Sequence, residues 1–232
     1  MGEGSLKPAE LAPYIVSSLI EADITEADIK AFVGDVKPYG FPSLAVDLPY
    51  IDLLRELLSG TKTRVTTVSS YPLGGMTTET KIRQVQYASE HGAYDIDVSM
   101  NYLAIKSGDF GAAAEDVRRV VEAAGSLKIV MIPQVAILTN EEKLRTCEAL
   151  LGAGCRTIKT ASGFGWKTEV EDVLLIKRRF GDDLEIEVSG GVRTTEDALA
   201  MLKAGAEKLH TSTAFQVMGL DKELSYRKKE SA

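Results

Sequence analysis

The chain has 232 residues, 44% of them hydrophobic and 26% charged, with a formal net charge of −7 and a mean hydropathy of −0.03. That balance excludes a disordered polar chain, and the acidic excess lacks the basic stripe of a nucleic-acid binder. No apolar run approaches the roughly 18 residues of a membrane span, so neither nucleic acid nor membrane is an expected partner.

Residues 1–12 read as an N-terminal extension without the basic and apolar regions of a secretory signal. From there, short β-branched runs alternate with segments of helical period. The predicted strands are Tyr14–Leu19, Ser43–Leu48, Thr63–Ser69, Tyr94–Met100, Leu127–Pro133, Cys155–Ala161, Leu184–Gly190 and Lys208–Thr213. Thr25, Thr139 and Thr194 or Thr195 stand as N-caps before helical segments, with acidic residues in the first turns that follow. Glycines such as Gly181 and Gly205 read as left-handed C-caps. His91, beside Gly92, reads as a partner of a helix C-terminus, and Trp166 as packing on the loop after the sixth strand. Residues 221–232 form a charged tail, read as a frayed helix end.

Eight strand–helix units in 232 residues predict a single-domain (β/α)8 TIM barrel spanning residues 1–232. An open doubly wound sheet alternates in the same way, but eight similar strands leave no obvious edge. The two cysteines, Cys147 and Cys155, make no disulfide framework and no zinc motif. They read as reduced thiols, which predicts a cytoplasmic location. With only two histidines, a catalytic zinc site of three His-rich ligands is not expected.

In a barrel, chemistry sits at the C-terminal ends of the strands, where Asp47, Asp97, Gln134, Lys159, Glu187 and His210 fall. Lys159 is a long cation inside an apolar strand. Desolvation favours its neutral amine, which can form a Schiff base with a carbonyl; the plainer reading is a lysine paired with a carboxylate. Asp97 can move protons or cap the following loop. Asp95 faces the same side, lower in the barrel. Three stretches form a candidate anion site: Ser162–Gly165, Ser189–Asp197 and Thr211–Thr213 follow strands six, seven and eight. Their glycines admit backbone amides to an anion, the helix after Thr194 opens with unpaired N–H groups, and Arg193 adds a cation. His210 fills space above this loop or contacts the phosphate.

The stretches SYPLGGMTTETK, YDIDVSMNYLAIKSGD, LTNEEKLRTCEALLGAGCRTIKTASGFG and EVSGGVRTTEDALAMLKAG resemble the deoxyribose-phosphate aldolase family from about Ile15 to Met218. The resemblance implies a class I aldolase that needs no metal or cofactor and splits 2-deoxyribose 5-phosphate into acetaldehyde and glyceraldehyde 3-phosphate. It implies a small phosphorylated sugar as partner and assembly as a homodimer or homotetramer. Lys159 matches the Schiff-base lysine and Asp97 the proton-relay aspartate. Ser162, Gly163, Ser189, Gly190, Gly191, Val192, Arg193, His210, Ser212 and Thr213 fall on the phosphate side.

Several positions depart from the family pattern. Glu187 stands where a second lysine is usual, and adjacent strands are about 4.8 Å apart, so Glu187 is expected to pair with Lys159 and favour its charged form. Alternatively, Glu187 is itself an acid/base group. Val16, Asp47, Gln134 and His210 also differ from the family's residues. Three readings follow: a deoxyribose-phosphate aldolase; a divergent member acting on another phosphorylated sugar or dicarbonyl; or a non-catalytic phosphosugar-binding barrel in which Glu187 neutralises Lys159.

Overall fold

A parallel strand covered on one face by helices and on the other by a barrel interior must alternate two kinds of burial. The structure, a computed structural model, describes residue 7 and residues 10–226. In it the eight predicted strands form, trimmed at their ends: β1 Ile15–Leu19, β2 Ser43–Val46, β3 Arg64–Ser69, β4 Asp95–Ser99, β5 Lys128–Ile132, β6 Thr157–Lys159, β7 Glu185–Ser189 and β8 Lys208–Thr211. They pair in chain order, all parallel, and β8 returns to β1 with Ile15 opposite Leu209. The closure excludes the open-sheet alternative. β6 is the most shortened, because its ladder to β5 is a single pair, Met131 with Ile158.

The helices are α1 Glu26–Val36, α2 Ile51–Leu57, α3 Thr78–Glu90, α4 Tyr102–Lys106, α5 Phe110–Ala123, α6 Asn140–Gly152, α7 Val170–Phe180, α8 Thr195–Ala204 and α9 Ala214–Val217. Thr25, Thr139 and Thr194 each close a capping box, with Asp28, Glu142 and Asp197 respectively. Each such cap is worth about 1 kcal/mol. Gly205 ends α8 in the left-handed conformation. Gly181, at φ 56 and ψ −126, has positive φ but is not a left-handed cap.

Outward strand residues such as Ile96, Met131, Ile158, Ile186 and Leu209 join the apolar layer beneath the helices. Cys147 and Cys155 are free and buried. His91 ends α3, as expected, and its Nδ1 also lies 2.7 Å from Asp52 of α2. Of the charged tail, residues 221–226 are described and 227–232 lie outside the described residues. The described part packs on α1: Leu224 and Tyr226 are buried, and Ser225 donates its backbone N–H and its hydroxyl to Asp35. Of the predicted N-terminal extension, residues 1–6, 8 and 9 lie outside the described residues; Leu11 is fully buried in the core. Among the described residues no helix is long and apolar enough to cross a membrane.

Candidate active site

Barrel interiors of this type are usually filled by branched apolar side chains. Here that holds for Val16, Val68, Val130 and Ile132, with the smaller Ala45 beside them, all buried. Between β4 and β8 the interior is ionic instead. Asp95 and Asp97 come from β4, Lys128 from β5, Lys159 from β6, Glu185 and Glu187 from β7, and Lys208 and His210 from β8. Lys159 with Asp97, Lys128 with Glu187 and His210 with Asp97 run as chords between strands that are not neighbours, while Glu187 also meets Lys208 and His210 of the adjacent β8, so the charges meet across the lumen.

Lys159, at the C-terminal end of β6, donates from Nζ to Asp97 Oδ2 at 2.8 Å, and both side chains are buried. The lysine is therefore paired with a carboxylate, and the partner is Asp97. Glu187 is the ladder partner of Lys159, but its carboxylate turns to β8 and β5. It lies 2.5 Å from His210 Nε2, 3.0 Å from Lys208 Nζ and 3.3 Å from Lys128 Nζ. The expected Glu187–Lys159 pair is thus replaced by a Glu187 held by three cation-forming groups on other strands. The reason is competition: two lysines and an imidazole offer Glu187 more hydrogen bonds than one lysine already bound to Asp97.

These contacts set the charge states. Burial works against the Lys159 ammonium, but Asp97, through its charge and its hydrogen bond, together with Tyr71, outweighs it and holds the lysine above its usual range. Lys159 rests as an ammonium, contrary to the neutral amine that burial alone predicts. Burial also works against the Glu187 carboxylate; His210, Lys208 and Lys128 override it and keep the group below the usual carboxylate range. Asp95 has the opposite balance. Burial and repulsion from Asp97 and Glu187 push its carboxyl up to about 7, and Thr66 donates to it at 2.5 Å.

A cavity of about 230 Å³ opens at the C-terminal ends of the strands. Ser162, Gly163, Ser189, Gly190, Gly191, Val192, Arg193, His210, Ser212 and Thr213 all line it, so the ten residues assigned to the phosphate side come together. Ser18, Ile20, Glu21, Tyr71, Phe164 and Thr211 complete the wall. Lys159 is not a lining residue. Tyr71, with its ring centroid 5.3 Å from Lys159 Nζ, and His210, which shares Asp97 with that lysine, are.

The glycines here answer to close approach. A Cβ on Gly190, at φ 84, would stand 2.4 Å from the Trp166 carbonyl oxygen, and one on Gly191 would meet the Lys167 side chain at the same distance. The Trp166 backbone, on the loop after β6, thereby borders the loop after β7. Ser162 is held by Gln134, which accepts from its amide at 2.8 Å and donates to its hydroxyl at 3.1 Å. The Tyr71 hydroxyl donates to the Ser162 carbonyl.

Three expectations need correction. The amides of Arg193 and Thr194 are not open to an anion, because Asp197 Oδ2 accepts both at 3.0 Å. The capping box that makes α8 consumes them, and the Arg193 side chain is left as the local cation. His210 does not simply fill space above the loop: its ring points into the ionic interior. Asp97 likewise does not cap the following loop; Asn101 does, accepting from Ala104.

Asp97, Glu187 and His210 offer donor atoms within 4.8 Å of one another, the place among the described residues where a divalent ion would fit. The ammonium groups of Lys159, Lys128 and Lys208 already supply the positive charge there. Sequence reasoning missed Tyr71, Lys128, Lys208 and Glu185. The period-2 alternation through Glu187 and His210 puts Glu185 and Lys208 on the same inner face. Nothing local marks Tyr71, which reaches the site from the loop after β3.

No family model matches the chain. The deoxyribose-phosphate aldolase of Geobacillus sp. is 37% identical over 211 residues, covering 90% of this chain and 94% of the relative. That of Aciduliprofundum boonei is 36% identical over 212 residues, covering 90% and 96%, and that of Streptococcus uberis 35% identical over 207 residues, covering 88% and 94%. Among solved structures, the aldolase QR15 superposes with a TM-score of 0.85 at 26% identity, covering 95% of this chain and 97% of that one. The tetrameric deoxyribose phosphate aldolase of Aeropyrum pernix gives 0.84 at 24% identity, covering 92% and 91%, a likeness of fold. On sequence identity over nine-tenths of its length, joined to this barrel and its buried strand-end lysine, the chain belongs to the deoxyribose-phosphate aldolase family.

Proposed function

We propose that this protein is a class I aldolase that cleaves 2-deoxyribose 5-phosphate reversibly to acetaldehyde and glyceraldehyde 3-phosphate. The observation that carries the proposal is the buried Lys159–Asp97 pair beside a glycine-rich cavity holding the ten predicted phosphate-side residues. Lys159 gives its proton to Asp97 and attacks the C1 aldehyde; Asp97 returns that proton to the carbinolamine oxygen, which leaves as water, and an iminium forms. Asp97 Oδ1, buried without a hydrogen-bond partner, faces no competing donor and is free to take the C3 hydroxyl proton through a water. The C2–C3 electrons then flow into the iminium, glyceraldehyde 3-phosphate departs, and the enamine is protonated at C2 and hydrolysed to acetaldehyde. The loop amides from Gly163 to Val192 and the Arg193 side chain would hold the phosphate.

Borohydride trapping tests the proposal. Protein mixed with 2-deoxyribose 5-phosphate and borohydride should gain a reduced adduct on Lys159, located by mass spectrometry. No adduct with this substrate, in folded protein, overturns it. The altered mouth, with Val16, Asp47, Glu187 and His210, favours a second reading in which the same lysine serves another phosphorylated sugar or dicarbonyl. Trapping across a panel of sugar phosphates separates the two. Self-association as a homodimer or homotetramer belongs to the proposal. Leu73 and Leu103, 67% and 75% exposed, leave apolar surface for it, and sedimentation measures it.

A further inference from the structure

His210 is an ionisable group of the interior that also lines the cavity, and the proposed chemistry leaves it unused. Its Nε2 lies 2.5 Å from Glu187 Oε2, and its Nδ1 lies 3.6 Å from Asp97 Oδ2. Glu187 is ionised, held by Lys128, Lys208 and His210. An ionised carboxylate only accepts, so the hydrogen of a neutral His210 ring sits on Nε2. That tautomer leaves Nδ1 as a bare lone pair aimed at Asp97. Nδ1 and Asp97 Oδ1 are both buried side-chain atoms without a hydrogen-bond partner, an arrangement that costs stability and calls for a functional reason.

We propose that His210 is the terminal proton acceptor for Lys159, with Asp97 as the carrier between them and Glu187 fixing the tautomer. The inference rests on the aldolase reading above. Lys159 Nζ passes a proton to Asp97 Oδ2 along their 2.8 Å hydrogen bond. The protonated Asp97 now has a hydrogen to donate, and the 3.6 Å gap to Nδ1 closes to an ordinary hydrogen bond of about 2.7 Å. The proton moves on to His210, leaving Asp97 ionised beside a neutral amine. After the amine has attacked the aldehyde, the same proton returns through Asp97 to the carbinolamine oxygen, which leaves as water. No proton is gained or lost overall: ammonium plus aldehyde become iminium plus water.

The groups around the ring fit this task. Glu187 of β7, Asp97 of β4, Lys159 of β6 and Lys208 on its own strand face it, while β1 contributes Val16, opposite His210 in the ladder and without charge. Across the cavity stand Tyr71, Arg193 and Glu21. Glu187, with His210 on its carboxylate, thus occupies the place where the family resemblance leads one to expect a second lysine.

The test reads the rate of borohydride-trappable adduct formation on Lys159 with 2-deoxyribose 5-phosphate between pH 6 and 9. The expected result is a His210→Gln variant slowed at least about tenfold near pH 7, within the range for general acid–base groups, with the deficit shrinking towards pH 9 as hydroxide competes as the proton acceptor. Added imidazole should restore part of the rate to His210→Ala, which a purely structural role would not allow. Nitrogen NMR of the unaltered protein gives a second readout that needs no variant, since only one other histidine is present: His210 should carry its hydrogen on Nε2 when neutral. An unchanged trapping rate in His210→Gln across the pH range, or a hydrogen on Nδ1, overturns the relay and leaves the aldolase reading standing. Absence of any adduct in the unaltered protein overturns both.

Discussion

Lys159 has to be an ammonium at rest and an amine when it attacks, and its neighbours decide how it changes. Asp97 is its hydrogen-bond partner, so Lys159→Met should remove trapping altogether and lower turnover by more than about a thousandfold, as loss of a covalent nucleophile does. The residue that most distinguishes this site from the family resemblance is Glu187, and restoring a lysine there is the obvious experiment. The structure predicts failure for a physical reason. Glu187→Lys would set a third lysine against Lys128, Lys208 and His210 and remove the carboxylate that all three share. Breaking a buried charge cluster in this way costs about 3–5 kcal/mol, which a urea unfolding midpoint will show. A variant as stable as the parent would mean that the cluster around Glu187 contributes little to folding.

At the scale of elements, α3 and α5 hold their positions by a buried ion pair as well as by apolar packing. Lys81 of α3 is fully buried and donates to Asp116 of α5 at 2.7 Å, and Thr78 donates to the same carboxylate. Lys81→Met should cost about 3–5 kcal/mol by leaving a buried carboxylate short of its cation, whereas Lys81→Met with Asp116→Leu should recover most of that loss. Urea midpoints of the two variants check the sign. The loop after β7 offers a different test. Gly190→Ala has no room for its Cβ against the Trp166 carbonyl, so the loop must shift. KM for the phosphorylated sugar should rise about tenfold, on the scale of a small misplacement of a binding group, while Lys159 remains trappable at saturating substrate. Steady-state kinetics on the two variables separate binding from chemistry.

Over the whole molecule, the ionic half of the barrel couples folding to pH. The Asp95 carboxyl is raised to about 7, well above the roughly 3.9 of an unfolded chain. Between those values the folded state binds a proton that the unfolded state does not. The Asp95 contribution to stability is therefore largest at low pH and falls as pH rises through 7. From pH 6 to pH 8 the loss is about 1 kcal/mol. Asp95→Asn keeps an acceptor for Thr66 and has no charge to bury, so its stability relative to the parent should improve over that interval. Melting curves of both proteins at pH 6 and pH 8 measure it; a constant difference would show that the Asp95 carboxyl is not raised to the extent described.

The sequence by itself determined the barrel. Eight β-branched runs alternating with capped helical segments can bury both faces of eight parallel strands in few other ways, and the motif spacing placed Lys159, Asp97 and the phosphate-side residues at strand ends that converge. What the sequence could not contain was the choice of partners. Lys159 and Glu187 are ladder neighbours and looked like a pair, yet the lumen brings Lys128, Lys208 and His210 to Glu187 and leaves Lys159 to Asp97. Tyr71 and the α8 cap show the same limit: whether a side chain reaches the site, or an amide stays free for an anion, depends on the competing groups within a few ångströms. Those distances exist only once the barrel has closed, because hydrogen bonds and ion pairs are decided between strands far apart in the chain.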